Sequence, residues 1–149
     1  MIKVAVVQLN PKLGENEDNR RRIVQRYREA AAEGARLIVF PECATSGYGF
    51  ADLETVGAAA EPLPGPTTEA LQPICAETGS YVVVGLLERE TEEIVYNTAA
   101  LVGPEGLVGR YRKAHLPLLG VDRFVTPGDT GFRAWETPLG RIGMLICYD

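Results

Sequence analysis

The sequence predicts an α/β fold, in which helices pack on a sheet whose first strands are parallel. Two observations support this prediction. The first forty residues read as strand, helix and strand, which is the βαβ pattern of a parallel sheet. Later segments are short apolar runs rich in β-branched residues and bounded by glycine and proline, as strands are. With 149 residues the chain is long enough to bury the core of one domain.

The βαβ unit begins at residues 3–9 (KVAVVQL), whose nearly continuous hydrophobicity predicts a strand buried on both faces. A helix is expected over residues 16–33, because apolar side chains recur there at spacings of three and four and Gly34 is a natural stop. Residues 37–40 (LIVF) form the second predicted strand, which Pro41 ends.

The middle of the chain predicts a loop, a helix and a third strand. Residues 43–66 are rich in glycine and proline and are expected to be loop. Thr67 is the predicted N-cap of a helix that runs to about residue 78, where Gly79 closes it. Residues 81–88 (YVVVGLLE) form the next strand.

The last third predicts four more strands in two pairs, at residues 95–102, 107–112, 132–136 and 141–147. The first pair is a hairpin about residues 103–106, and a long loop over residues 115–130 separates the pairs. The final strand ends at Cys147 with no helix to return over it. We therefore expect this sequence to be the first part of a larger domain.

Composition argues against several classes of function. A net charge of −5 disfavours nucleic acid and anionic membranes as partners, and the short arginine cluster at residues 20–22 is preceded by acidic residues. The sequence shows no signal-peptide core and no apolar run of membrane-spanning length. Cys43, Cys75 and Cys147 are an odd number of cysteines, which predicts free thiols and a cytoplasmic protein. His115 is the single histidine and no cysteines lie close in sequence, so a structural zinc site is not expected.

Three chemically capable side chains follow the ends of predicted strands: Glu42, Lys113 and Cys147. Each alone has an ordinary interpretation, as a loop carboxylate, a solvated lysine and a small buried thiol. Ligands gather at the carboxyl ends of strands in open α/β sheets, so the three could meet in one pocket. There the thiol would be a nucleophile, the carboxylate its base and the ammonium the partner of an oxyanion.

Three segments resemble the nitrilase, or carbon–nitrogen hydrolase, superfamily: LIVFPECATSGY at 37–48, GRYRKAHLP at 109–117 and RIGMLICYD at 141–149. The resemblance covers essentially all of this chain. It implies a four-layer α-β-β-α sandwich of the nitrilase type that commonly assembles into homo-oligomers, with no metal or organic cofactor. It also implies that residues 1–149 are a single partial domain whose C-terminal part is absent, and which we expect not to turn over substrate alone.

Carried over by motif, Glu42 is the general base, Lys113 the oxyanion-stabilising cation and Cys147 the nucleophile. The implied activity is the hydrolysis of a small non-peptide amide through a cysteine thioester, with release of ammonia or an amine. Amides are weakly preferred to nitriles as substrates.

Further side chains are candidates for contacts to the substrate or oxyanion, or for supporting the three groups. They are Tyr48 and Tyr148, each within a family motif, and Asp122. Many family members carry a second carboxylate in the loop after the lysine, where this sequence has no glutamate and Asp122 is the nearest acidic residue.

Two other functions stay open. The loop containing residues 115–117 and 120–122 also suits the glutamine-amide-cleaving module of a larger synthetase, which an ATP-binding domain further along the gene would favour. The chain could instead be a non-catalytic binding or scaffold fragment. That alternative predicts that Cys147→Ala leaves function intact, whereas either enzyme predicts loss of turnover with the fold retained.

Overall fold

Five strands form one mixed sheet in the computed structural model, which describes residues 1–149. In spatial and sequence order they are β1 (Val4–Val6), β2 (Leu37–Val39), β3 (Tyr81–Arg89), β4 (Val95–Gly103) and β5 (Gly106–Arg112). The pairs β1–β2 and β2–β3 are parallel, whereas β3–β4 and β4–β5 are antiparallel. The predicted α/β class, the parallel βαβ start and the β4–β5 hairpin are therefore confirmed.

Two long helices cover one face of this sheet, and a short third helix packs in a separate apolar cluster with Leu87 and Val95. They are α1 (Asn16–Ala32), the short α2 (Leu53–Ala59) and α3 (Pro66–Thr78), and a single 3₁₀ turn spans Gly120–Arg123. Ile23 and Tyr27 of α1 pack with Leu71 and Ile74 of α3 in the largest buried apolar cluster, which also includes Ile38 of β2. No helix is both long and apolar enough to cross a membrane.

The opposite face of the sheet carries a second apolar cluster and a small separate hairpin. That hairpin pairs β6 (Ala134–Thr137) with β7 (Gly140–Gly143). Its Trp135 packs on the cluster that Tyr81, Leu101 and Tyr111 form with Met144 and Ile146.

The beginning of the chain departs from prediction in one respect. Residues 3–9 were expected to be buried on both faces, but β1 has three residues and lies at the edge of the sheet. Val4 and Val6 are 52% and 78% exposed. The prediction of a doubly buried strand is therefore wrong, because hydrophobicity along a strand does not show whether both of its faces are covered.

The predicted loop at residues 43–66 contains α2, which the sequence analysis missed. Asp52 caps this helix by accepting a hydrogen bond from the Thr55 N–H at 2.8 Å. Helix α3 begins one residue before the predicted cap Thr67: Gly65 is the N-cap and Pro66 takes the first helical position, where its missing N–H costs nothing. Gly79 ends α3 at φ +64°, as predicted.

The predicted strand at residues 141–147 ends at Gly143 and belongs to the separate hairpin rather than to the large sheet. Beyond it the chain leaves the β6–β7 ladder, and Met144 and Ile146 turn alternately into the second apolar cluster. Cys147 then lies in a turn at φ +48°, not at the end of an interior strand. The apolar run was correctly read as buried, but its pairing was wrong.

Candidate active site

The segment after β2 places Glu42 over the sheet. Phe40 still donates its N–H to Val83 of β3 at 2.8 Å, and the chain then turns at Cys43, which has φ +49°. Gly85 of β3 makes this close approach possible, because a Cβ there would lie 2.5 Å from the Pro41 carbonyl oxygen. Glu42 is thus held against the middle of the sheet, with its side chain 20% exposed.

Lys113 directly follows β5 and continues its pairing, donating its N–H to the Asn97 carbonyl at 2.8 Å. The side chain is fully buried and its Nζ makes two short ion pairs, 2.6 Å to Glu42 Oε1 and 2.5 Å to Asp122 Oδ2. Burial alone would lower the pKa of Lys113, but these two carboxylates raise it by more, so its pKa lies above the ordinary value. The two carboxylates therefore favour the charged ammonium form of Lys113.

Asn97, fully buried within β4, completes the arrangement. Its Nδ2 donates to Glu42 Oε1 at 2.8 Å and to Asp122 Oδ1 at 2.9 Å. Glu42, Asn97, Asp122 and Lys113 thus form a closed cycle of hydrogen bonds, which we call the polar ring. Asn97 is not among the site residues predicted from the sequence, although a polar amide inside an otherwise apolar strand must have partners when buried.

Asp122 enters the ring from the 3₁₀ turn and is 1% exposed. Its Oδ2 also accepts a hydrogen bond from the Tyr48 hydroxyl at 3.0 Å. Burial and the bond to Asp122 raise the pKa of Tyr48, so its phenol stays a neutral donor. Gly120 allows this contact, since a Cβ there would lie 2.5 Å from the Tyr48 ring. The Lys113 Nζ lies 5.7 Å from the centre of the same ring, within cation–π range.

Cys147 shares a cleft with Glu42, an open space of about 110 Å³ whose other walls include Phe40, Ala99 and Leu145. Cys147 is exposed, unlike the buried Cys43 and Cys75. Partial desolvation of its sulfur and the negative charge of Glu42 raise the pKa of its thiol, against the opposing effect of Lys113. The resting group is therefore a neutral thiol next to a carboxylate.

The net charge of the site also favours the neutral form of the Cys147 thiol. Two carboxylates surround one ammonium, so the ring carries one net negative charge. Both ring hydrogen bonds to Glu42 end on Oε1. Oε2 is the oxygen left to accept a proton, and a base beside a neutral thiol is the arrangement that activates a cysteine on demand.

The structure thus brings Glu42, Lys113 and Cys147 together, and places the candidates Tyr48 and Asp122 at the ring. Tyr148 differs: its side chain is 68% exposed, and the structure shows no hydrogen bond for it. The predicted loop histidine is separate from the ring, and pairs instead with Asp149 at 3.0 Å.

No group of three or more histidine, cysteine, aspartate or glutamate side chains is arranged to hold a metal ion. The position between the two ring carboxylates is filled by the Lys113 ammonium.

Comparison with known proteins gives consistent matches. The family model for carbon–nitrogen hydrolase matches residues 3–149. A nitrilase of Pyrococcus abyssi is 39% identical over 150 residues, covering 100% of this chain and 56% of that protein. The omega-amidase NIT2 of Homo sapiens is 37% identical over 141 residues, covering 89% of this chain and 50% of that protein. The chain therefore spans about half the length of these relatives.

A solved structure from Xanthomonas campestris supports the same fold. It is described as a CN-hydrolase superfamily protein with an arsenic adduct in the active site. The two structures superpose with a TM-score of 0.83 at 26% identity, over 99% of this chain and 53% of that one. The arrangement of sheet and helices described above is that of this superfamily.

Proposed function

The chain belongs to the carbon–nitrogen hydrolase family, and we propose from that premise that the polar ring and Cys147 form its amide-cleaving centre. The proposed reaction is hydrolysis of a small non-peptide amide through a thioester on Cys147, with release of ammonia or an amine. One observation carries the proposal: Glu42 contacts the buried ammonium on one side and faces the accessible thiol on the other.

In the first half of the reaction, the Cys147 sulfur attacks the amide carbonyl carbon while Glu42 takes the thiol proton. The carbonyl oxygen becomes an oxyanion, which Lys113 stabilises. Two of the three Lys113 N–H donors are occupied by carboxylates, so one is free for the oxyanion. The intermediate collapses when the carbon–nitrogen bond breaks and Glu42 returns its proton to the leaving nitrogen.

In the second half, water attacks the thioester carbon and Glu42 accepts a proton from that water. The carbon–sulfur bond breaks, the carboxylic acid leaves and the proton returns to the sulfur of Cys147. The same carboxylate therefore works twice as base and twice as acid, which requires it to be held in one position through both halves. Asn97 and Lys113 provide that restraint through Glu42 Oε1.

Asp122 takes the place of the second carboxylate that the resemblance leads one to expect near the lysine. Its role in this proposal is to keep Lys113 charged and oriented, because its carboxylate already accepts hydrogen bonds from Lys113, Asn97 and Tyr48. An amide is the preferred substrate, and the omega-amidase relative supports that choice. A nitrile is the second candidate, since a thiolate also attacks its carbon and another relative is named a nitrilase. Homo-oligomeric assembly and a cytoplasmic location stay predictions.

The test measures both the covalent acyl adduct on the protein and the release of ammonia. The protein is incubated with a panel of small aliphatic amides, and intact mass and released ammonia are measured for wild type, Cys147→Ala and Glu42→Gln. We expect an acyl adduct on wild type only, with about one ammonia released per adduct, which measures the first half of the reaction and requires no turnover. Glu136→Gln, an exposed charge removal on the β6–β7 hairpin, is the matched control. Wild-type ammonia release by Cys147→Ala would contradict the proposal.

A further inference from the structure

The backbone of Cys147 is held in an unfavourable conformation. Its φ of +48° lies in the left-handed region, which is unfavourable for a residue with a side chain. Such a conformation persists only when the surroundings hold it, and it often occurs where a side chain must be presented in one direction. The polar ring makes no hydrogen bond to this backbone, so the restraint must come from other residues.

Asp149 closes the turn around Cys147. Its backbone N–H donates to the Ile146 carbonyl at 3.1 Å, and its carboxylate Oδ2 accepts from the Ile146 N–H at 3.3 Å. Two reciprocal hydrogen bonds thus connect the residues on either side of the Cys147–Tyr148 dipeptide. The side chain of Ile146 is itself anchored in the second apolar cluster, so the turn is fixed to the sheet.

The other oxygen of the same carboxylate reaches the segment that carries Lys113. Asp149 Oδ1 accepts from the His115 N–H at 2.9 Å and lies 3.0 Å from His115 Nδ1. The Asp149 side chain is fully buried, whereas that of His115 is 59% exposed. Burial alone would raise the pKa of Asp149, but the donors that face it from His115, Tyr111 and Ile146 outweigh burial and hold that pKa below its ordinary value.

We propose that Asp149 is a positioning residue, which ties the Cys147 turn to the Lys113 segment and so keeps the sulfur beside Glu42. The inference rests on the proposed function and adds a residue to it. Asp149 does not contact the reacting atoms. It acts through Cys147, whose strained turn it closes, and through His115, two residues beyond Lys113.

The consequence is measurable on the thiol itself. Cys147 now lies partly desolvated beside the negative charge of Glu42, and both effects disfavour the thiolate. If Asp149 no longer holds the turn, the sulfur moves toward solvent and away from Glu42. The pKa of Cys147 should then fall toward that of a free thiol, and the thiolate should react faster at neutral pH. General destabilisation of the fold gives no such shift in a protein that stays folded.

The experiment measures alkylation of the native protein by iodoacetamide from pH 6 to 10. Cys43 and Cys75 are buried, so one thiol should react, and Cys147→Ser identifies it by abolishing the reaction. We expect the midpoint for Asp149→Ala to fall below that of wild type, with alkylation at pH 7.5 roughly threefold faster or more, since a midpoint half a pH lower triples the thiolate fraction. The control Glu136→Gln should match wild type.

Asp149→Asn keeps one oxygen for the His115 N–H but loses the second acceptor, so we expect a smaller shift in the same direction. Reaction of all three thiols would show that Asp149→Ala has unfolded, and Asp149→Asn then provides the test in its place. A wild-type midpoint and rate in a variant with one reactive thiol would overturn the inference. The readout involves no turnover, so that result leaves acyl transfer by Cys147 standing, and failure of the amide assay leaves this inference standing.

Discussion

Replacing Lys113 by methionine removes the ammonium from between two carboxylates while keeping a side chain of similar length. In the native protein its Nζ lies 2.6 Å from Glu42 Oε1 and 2.5 Å from Asp122 Oδ2, and the Lys113 side chain has no exposed surface. Glu42 is 20% exposed and can recover some hydration, but Asp122 is fully buried. The variant therefore leaves at least one buried charge without a partner.

Breaking a buried ion pair in this way costs about 3–5 kcal/mol, because the remaining charge keeps its desolvation penalty. The two pairs share one lysine, so their losses are not additive and we expect a total in that same range. A typical domain has a free energy of unfolding of roughly 5–15 kcal/mol, so the loss would be a large part of the total.

Urea unfolding followed by circular dichroism at pH 7 and pH 5 tests this expectation. Because the fold raises the pKa of Lys113, its stabilising contribution is complete below the unfolded value and is lost only as pH rises through the folded value. Wild type therefore keeps the pair at both pH values. In Lys113→Met the deficit should be smaller at pH 5, where a proton can neutralise the unpaired carboxylates.

Lys3→Met is the matched control, since Lys3 is 56% exposed and its nearest carboxylate is 3.9 Å away. It should change stability by less than about 0.5 kcal/mol. The double variant Lys113→Met/Asp122→Asn should regain part of the loss. Equal unfolding midpoints for Lys113→Met and Lys3→Met at pH 7 would refute the reasoning, because the carboxylates would then not need the ammonium.

Three further predictions concern the surroundings of the ring. Gly85→Ala places a Cβ 2.5 Å from a backbone oxygen and should lower the free energy of thermal unfolding by about 1–3 kcal/mol. An unchanged unfolding transition would contradict this prediction. Glu88→Gln weakens the ion pair of the buried Arg112 and should lower the free energy of unfolding in urea by about 2–3 kcal/mol. An unchanged free energy would show that the other partners of Arg112 are enough to hold it. Asn97→Leu removes one hydrogen-bond donor from each ring carboxylate. It should lower the free energy of unfolding by about 2–4 kcal/mol and abolish amide cleavage. Wild-type ammonia release by this variant would refute the role of Asn97.

Most of the fold could be predicted because its elements have strong local signals. Helix α1, strand β3 and the β4–β5 hairpin lie within a residue or two of their predicted bounds. Helix α2 was missed because it is only seven residues long and lies in a segment rich in turn residues, although its Asp52 cap was visible in the sequence. The end of β7 could not be predicted, because an apolar run shows that residues are buried but not which strand they pair with.

The residues of the candidate site were likewise predicted only in part. Glu42, Lys113 and Cys147 were identified from residue chemistry at the ends of apolar runs and from the family motifs. Asn97 and Asp149 were not, because their importance lies in contacts to residues distant in the sequence. A buried amide or carboxylate must have partners, but the sequence does not say which ones.

The register of β4 shows why these contacts require the folded sheet. Neighbouring residues of a strand point to opposite faces, so Asn97 joins the polar ring with Lys113 on one side of the sheet. Thr98 points to the helix-covered side, where it donates to Glu88 at 2.8 Å beside the buried Arg112. A slip of one residue would exchange Asn97 and Thr98, and would leave both polar clusters short of partners at once. The ion pair between Glu88 and Arg112 therefore helps to hold the Asn97 amide in place from the opposite face of the sheet.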